Sequence, residues 1–252
     1  MTGPVLAEWE QIASGFGVGM EQVRRDHLIS HLLAAISAGV STDELTFFGG
    51  TALSRTHLAD ARLSEDIDLI ARVSRTELAG QIEQAVRRGI ARSHGRPTWH
   101  PALTVTTGSQ PAVLSVPDGT SVQVQLLGGE GYSWPTEVVE IRQRYSDAPP
   151  ARLRVLTAEA FAAAKLGAWI DRRASRDLYD LWALSERGLI GPSALRLFVA
   201  QGPFGKPPPS WVFGQEPDED AWVRALGHQT HLRVSAREAM TRVRQAWSLA
   251  AG

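Results

Sequence analysis

Two aspartates stand one residue apart at the head of an apolar segment, Asp66-Ile67-Asp68-Leu69-Ile70. Side chains alternate along an extended chain, so this spacing predicts both carboxylates on one strand face, with Ile67 and Leu69 on the other. Strands otherwise disfavour Asp. Two such carboxylates repel each other unless a cation lies between them. Hard divalent ions such as Mg²⁺ take oxygen ligands, commonly one or two carboxylates together with substrate phosphates. About 16 residues upstream, a short apolar run ends in Gly49-Gly50-Thr51-Ala52-Leu53-Ser54. A glycine pair between a strand and a helix exposes backbone N–H groups that attract phosphate, and Thr51 and Ser54 can add hydroxyl donors. Together the two segments predict a phosphate cradle and a metal clamp on neighbouring strands, a pairing suited to in-line displacement at phosphorus.

A second constellation lies downstream. Lys165 is the sole charge in Phe161-Ala162-Ala163-Ala164-Lys165-Leu166-Gly167-Ala168-Trp169, and helical spacing sets it on an apolar stripe between Phe161 and Trp169. A buried ammonium must snorkel, pair with an acid or meet an anionic ligand. Lys165 and Lys206 are the only lysines among 26 basic residues, which favours ligand contact for Lys165. In Arg176-Asp177-Leu178-Tyr179-Asp180, the two acids share a helix face at i, i+3.

These motifs resemble those of the nucleotidyltransferase toxins of the AbiEii/MenT family, within the DNA polymerase β-like superfamily. Gly49-Gly50-Thr51-Ala52-Leu53 is similar to the family's glycine motif, and Arg62-Leu63-Ser64-Glu65-Asp66-Ile67-Asp68-Leu69 to its metal motif. Val23-Arg24-Arg25-Asp26-His27 fits the preceding helix, and Lys165 with Arg176–Asp180 looks like the two later motifs, so the likeness runs from about Val23 to Leu184. The resemblance implies Asp66 and Asp68 as metal ligands. It also implies Lys165 and Asp177 in the active site, with Asp180 the second choice for the acid. Gly49, Gly50, Thr51, Ser54, Lys165 and Arg176 would bind the NTP. It further implies Mg²⁺, transfer of NMP to the 3′ end of tRNA with release of pyrophosphate, blocked translation, and a cognate antitoxin. This reading requires the two acids, Lys165 and the glycines to converge on one magnesium-nucleotide pocket.

The surrounding pattern predicts an α/β (α+β) fold. A polymerase β-like nucleotidyltransferase core with a mixed sheet occupies residues 1–150, and a helical C-terminal domain occupies 151–252. Apolar spacing predicts helices over Glu21–Ile36, Ala52–Leu58 and Thr76–Arg92, and strands over Leu45–Phe48 and Ile67–Val73. Further strands are expected over Leu103–Thr107, Ala112–Val116 and Ser121–Leu127, the last two joined by a Pro117-Asp118-Gly119 turn. A loop rich in Arg and Pro follows. Thr157 and Ser175 are the expected N-caps of two helices, Ala158–Arg173 and Arg176–Arg187, and two more span Asp218–Gly227 and Ser235–Ala250.

Composition excludes much else. With 43% hydrophobic and 21% charged residues, the chain is neither disordered nor collagenous nor a coiled coil. Zero cysteines leave no disulfide and no thiolate metal site. No apolar run is long enough for a spanning helix, and Met1 to Glu8 lacks the ordered regions of a secretory signal. The expected compartment is the cytoplasm. A net charge of −1 excludes a polycation, although Arg142–Arg176 carries eight basic residues against three acids, a footprint for RNA phosphates or an ordinary solvated face.

Three features bear on alternatives. The expected strand Ser121–Leu127 offers Gln123 and Gln125 where related enzymes often carry a third carboxylate, with Glu130 and Asp177 as substitutes. A small-molecule or protein acceptor, or a nucleotide-binding or partner-binding module without catalysis, are the competing readings. His27 and His31 are spaced i, i+4 but lack a third ligand nearby, and His27 lies on the apolar face, which predicts a packing role.

Overall fold

The computed structural model describes residues 3–252, with side chains from residue 6; Met1 and Thr2 of the first predicted domain lie outside the described residues. The chain forms two compact units, one ending at Val155 and the other running from Leu156 to Gly252, with Ser133–Thr136 belonging to the second.

In the first unit, helices α1 (Gly3–Phe16) and α2 (Met20–Gly39) lead into strand β1 (Leu45–Phe48), the short helix α3 (Gly49–Ser54) and strand β2 (Asp66–Ala71). Helices α4 (Arg75–Gly89) and α5 (Ala91–His94) follow, then strands β3 (Thr98–Trp99), β4 (Ala112–Ser115), β5 (Ser121–Leu127), β6 (Thr136–Ile141) and β7 (Ala151–Leu156). Among the described residues, seven strands make one mixed sheet in the order β3-β4-β5-β2-β1-β7-β6. β1 runs antiparallel to β2 and parallel to β7, while β2 and β5 are parallel.

Alternation sets the sheet's register. Phe47 lies opposite Leu69, Ile67 opposite Val124 and Leu69 opposite Leu126, and all five side chains are buried. Burial of each such side chain stabilises by about 1.5–3 kcal/mol, and a one-residue slip would turn the whole set outward. Helices α2 and α4 pack on each other and against β5. Helix α2 is expected to be amphipathic, yet every residue from Asp26 to Ile36 is buried, so it is a central helix of this unit.

Several local expectations change. The segment Leu103–Thr107 is a turn, with Val105 N–H bonded to Ala102 O and the Val105 side chain 67% exposed; the alternation there has no partner strand. The Arg- and Pro-rich loop contains β6 and β7. In β7, Ala151, Leu153 and Val155 point inward while Arg152 and Arg154 point away, a period-2 pattern that the local arginine content obscures. The second strand starts at Asp66 and ends at Ala71, and the helix after the glycines spans Gly49–Ser54 instead of Ala52–Leu58.

The second unit is helical: α6 (Ala158–Arg172), α7 (Ser175–Glu186), α8 (Pro192–Gln201), a 3₁₀ turn at Ser210–Phe213, α9 (Glu219–Leu226) and α10 (Ala236–Ala251). Thr157 caps α6 by accepting from Ala160 N–H, and Ser235 and Glu238 form a capping box on α10. Ser175 is the first residue of α7 and not its cap; Ala174 holds that position with no side-chain bond. Trp169, Tyr179, Phe198, Trp222 and Trp247 fill the unit's interior, and the Trp169 and Trp222 indoles donate to Val212 O and Val234 O. Among the described residues, no helix is long and apolar enough to cross a membrane.

Candidate active site

Strand β2 puts Asp66 and Asp68 on one face, both half-buried, with Ile67 and Leu69 fully buried on the other. Asp68 is in register with Phe48 on β1 and with Gln125 on β5, and Asp66 with Gln123. The glutamines therefore share the acids' face.

The glycine turn closes against these acids. Gly49 adopts a φ of +78°, and a Cβ there would overlap the Asp68 carboxylate, lying 2.8 Å from its Cγ. At Gly50 a Cβ would stand 2.8 Å from Arg62 Nη2 and 2.9 Å from Ser64 Oγ. Only glycine allows α3 to begin this close to β2. The backbone of the turn thus has a carboxylate on one side and a buried guanidinium on the other. Arg62 heads the segment similar to the metal motif but receives no role from sequence, because one arginine among many carries no signal until the fold sets it beside the glycines.

Thr51 and Ser54 are buried, and their hydroxyls turn to backbone: Thr51 Oγ1 donates to Asp66 O, and Ser54 Oγ to Thr51 O at 3.1 Å. The sequence reading assigns both to the phosphate. In the structure, Thr51 fastens α3 to the first residue of the acidic strand.

A buried ionic network holds the other end of α3. Asp26 on α2 accepts from Arg55 Nη2 at 2.8 Å, from Tyr145 Oη at 3.0 Å and from Arg144 Nη1 at 3.3 Å. Arg144 also donates to Ser54 O and Ala59 O. Arg55 reaches Ser30 Oγ and Arg142 O. Burial and the neighbouring Arg55 pull the Arg144 guanidinium down to about 10, and burial and Asp26 push the Tyr145 hydroxyl up. Removing one member of such a network strands the others, at a penalty of about 3–5 kcal/mol.

The second unit brings Lys165, Asp177 and Asp180 together. Lys165 Nζ lies 3.0 Å from Asp177 Oδ1 and 2.6 Å from Asp180 Oδ2, and all three residues are buried. Arg172, reaching in from solvent, grips Asp177 through Nε at 2.7 Å and Nη2 at 2.9 Å. Burial pushes the Asp177 carboxyl up, but Lys165 and Arg172 outweigh it and hold the group at about 2. Such a carboxylate is a poor proton acceptor near neutrality; its geometry suits it to fixing the ammonium. Arg176, in the first turn of α7, is partly exposed.

The basic stretch reads differently once its partners are known. Arg144 and Lys165 are buried in ion pairs with Asp26, Asp177 and Asp180, and Arg154 pairs with Asp43 at 2.5 Å. Arg173 donates to Val212 O and stacks over Trp169 and Trp211. Acids outside the counted window neutralise much of its excess, so it is not a free cationic face.

A profile of the family described as "Nucleotidyl transferase AbiEii toxin, Type IV TA system" matches residues 31–246. The chain belongs to that family. The match contains β1 through α9 and most of α10, and so extends well past Leu184, where the recognisable motifs end. No curated protein matches the chain significantly. Among solved structures it is similar to an antigenic nucleotidyltransferase-like protein from Paracoccidioides brasiliensis, at 14% identity and a TM-score of 0.40, over 75% of this chain and 98% of that one. Membership in the AbiEii family makes the chain a nucleotidyltransferase toxin, with a nucleotide substrate and an antitoxin partner.

Proposed function

We propose that this AbiEii-family chain transfers NMP from an NTP to the 3′ acceptor end of tRNA, with Mg²⁺, releasing pyrophosphate and blocking translation. The observation that carries the reading is the pair of half-buried carboxylates on one face of β2, with the Gly49-Gly50 turn folded directly against Asp68. The donor set fits a hard divalent ion. Asp66 and Asp68 offer charged oxygens and Gln123 and Gln125 neutral ones on the adjacent strand. Mg²⁺ held there would neutralise the triphosphate and polarise the phosphorus under attack.

The remaining roles are assigned by the likeness of the motifs. The glycine backbone and Arg62 receive phosphate oxygens, and Thr51 and Ser54 keep the turn in place on β2. By that likeness Lys165, held by Asp177 and Asp180, and Arg176 would offset charge on the departing pyrophosphate. Asp177 acts through Lys165. The acceptor is assigned by the likeness of the motifs to nucleotidyltransferase toxins, and a tRNA acceptor puts the reaction in the cytoplasm.

Incubation with each labelled NTP, Mg²⁺ and total RNA tests this directly. Label is expected on tRNA, and none in Asp68→Ala. Binding to tRNA should fall steeply with salt, as contacts to phosphates require. Label on protein or on a small molecule would replace the acceptor. NTP binding without any transfer would favour a module that has lost catalysis, the reading that Gln123 and Gln125 support.

A further inference from the structure

His27 and His31 lie one turn apart on α2, and the fold supplies the third ligand that their sequence neighbourhood lacks. His94, at the end of α5, and Asp147, in the segment before β7, both reach them. His27, His31 and His94 each offer a ligand nitrogen, these atoms lying within 4.8 Å of one another. His27 Nδ1 is 3.1 Å from His94 Nε2. Two nitrogens on a tetrahedral zinc ion with bonds of about 2.0–2.1 Å would be about 3.3 Å apart. His27 Nε2 faces both oxygens of Asp147 at 3.1 Å. His31 Nε2 is buried, has no hydrogen-bond partner and stands 3.6 Å from Asp147 Oδ2.

We propose that His27, His31 and His94 form a binding site for a borderline divalent transition ion, Zn²⁺ first, with Asp147 orienting His27 or completing the coordination. Imidazole donors select such ions over Mg²⁺, and a ligating histidine commonly gives its other N–H to a carboxylate. Without an ion, one hydrogen-bond chain accounts for both ring nitrogens of His27 and of His94. His94 Nδ1 meets Ser93 Oγ, which also reaches Ile90 O, while His94 Nε2 donates to His27 Nδ1 and His27 Nε2 donates to Asp147. Binding needs a closing of the three nitrogens to about 3.3 Å from one another and a tautomer change: the His94 proton moves from Nε2 to Nδ1 and is then donated to Ser93 Oγ, a hydroxyl that can accept it. Nδ1 of His27 and Nε2 of His94 then present lone pairs to the ion, as does Nε2 of His31.

The surroundings favour neutral rings at His31 and His94. Burial and the other two histidines hold His94 down at about 4, and burial and His27 lower His31. The rings pack with centroids 4.7–5.0 Å apart, bordered by Trp9 and Tyr145. An ion here would staple three segments distant in sequence, and Asp26, beside His27, anchors the network that holds α3. The expected role is structural.

Protein purified without a polyhistidine tag and stripped with a chelator is titrated with Co²⁺, then Zn²⁺. Stoichiometric uptake with the strong visible absorption of four-coordinate cobalt is expected, displaced by zinc, together with a rise in melting temperature. His94→Gln and His31→Gln should each abolish the signal, Asp147→Asn should weaken zinc about 10–100-fold, and Asp68→Ala should leave it intact. Substoichiometric uptake, a weak six-coordinate cobalt spectrum, or full uptake in both histidine variants would overturn the assignment. The wild-type spectrum decides even where a variant fails to fold.

Discussion

Gly49 and Asp68 occupy adjoining space: a Cβ on the glycine would coincide with the aspartate's carboxylate, and the glycine's φ of +78° already excludes most side chains. The glycine motif and the acidic strand are thus one packed object. Gly49→Ala should displace Asp68, abolish transfer, and destabilise by about 1–3 kcal/mol through backbone strain and overlap. Gly50→Ala should be milder, because its Cβ meets only the flexible ends of Arg62 and Ser64. Equal loss of activity and melting temperature in the two variants would contradict this order.

Asp66→Asn and Asp68→Asn should each lower the transfer rate by about 10²–10³-fold while leaving the circular dichroism unchanged, because they remove charge directed at the reacting phosphates. Steady-state assays over a Mg²⁺ series read this effect. Rates within about threefold of wild type at saturating Mg²⁺ would exclude these carboxylates from the chemistry.

Gln123 is exposed and in register with Asp66. Gln123→Glu should therefore add a third carboxylate to the face and lower the Mg²⁺ concentration that gives half-maximal activity. An unchanged or raised requirement would mean that this position does not see the ion.

Lys165→Met should destabilise by about 3–5 kcal/mol, because Asp177 and Asp180 would be left buried without their shared cation. Asp180→Asn should lose less, since Lys165 would keep Asp177. Urea denaturation separates the two. If Lys165→Met were as stable as wild type and only inactive, the ammonium would serve ligand alone.

Acid should weaken the second unit through the same cluster. The Asp177 carboxyl falls from 3.8 to about 2 on folding, so its contribution is complete above about pH 4 and disappears as pH drops towards 2. The linked stability is about 2 kcal/mol. Asp177→Asn should be less stable than wild type at neutral pH and should flatten this part of the stability profile. Parallel profiles for the two proteins would show that the pairing adds nothing.

Local chemistry was legible in the chain. The alternation of Asp66, Ile67, Asp68 and Leu69 places both acids on one face whatever the rest of the fold does, because a strand has a period of two. Thr157 likewise announces its cap, since a cap depends on the next three residues, whereas Ser175, expected on the same ground, falls inside its helix. Features that depend on distant partners were not legible. Strand β7 needs β1, more than a hundred residues earlier, and the apparent cationic stretch loses charge to Asp26 and Asp43. His27 and His31 read as packing residues until α5 and the segment before β7 bring in His94 and Asp147.

Sequence alone determined which groups can do chemistry and which share a face, because periodicity and side-chain type are properties of neighbours along the chain. Tertiary structure alone decided which charges are neutralised, which hydroxyls face backbone, and which imidazoles meet. Those outcomes depend on separation in space, which burial of the core sets.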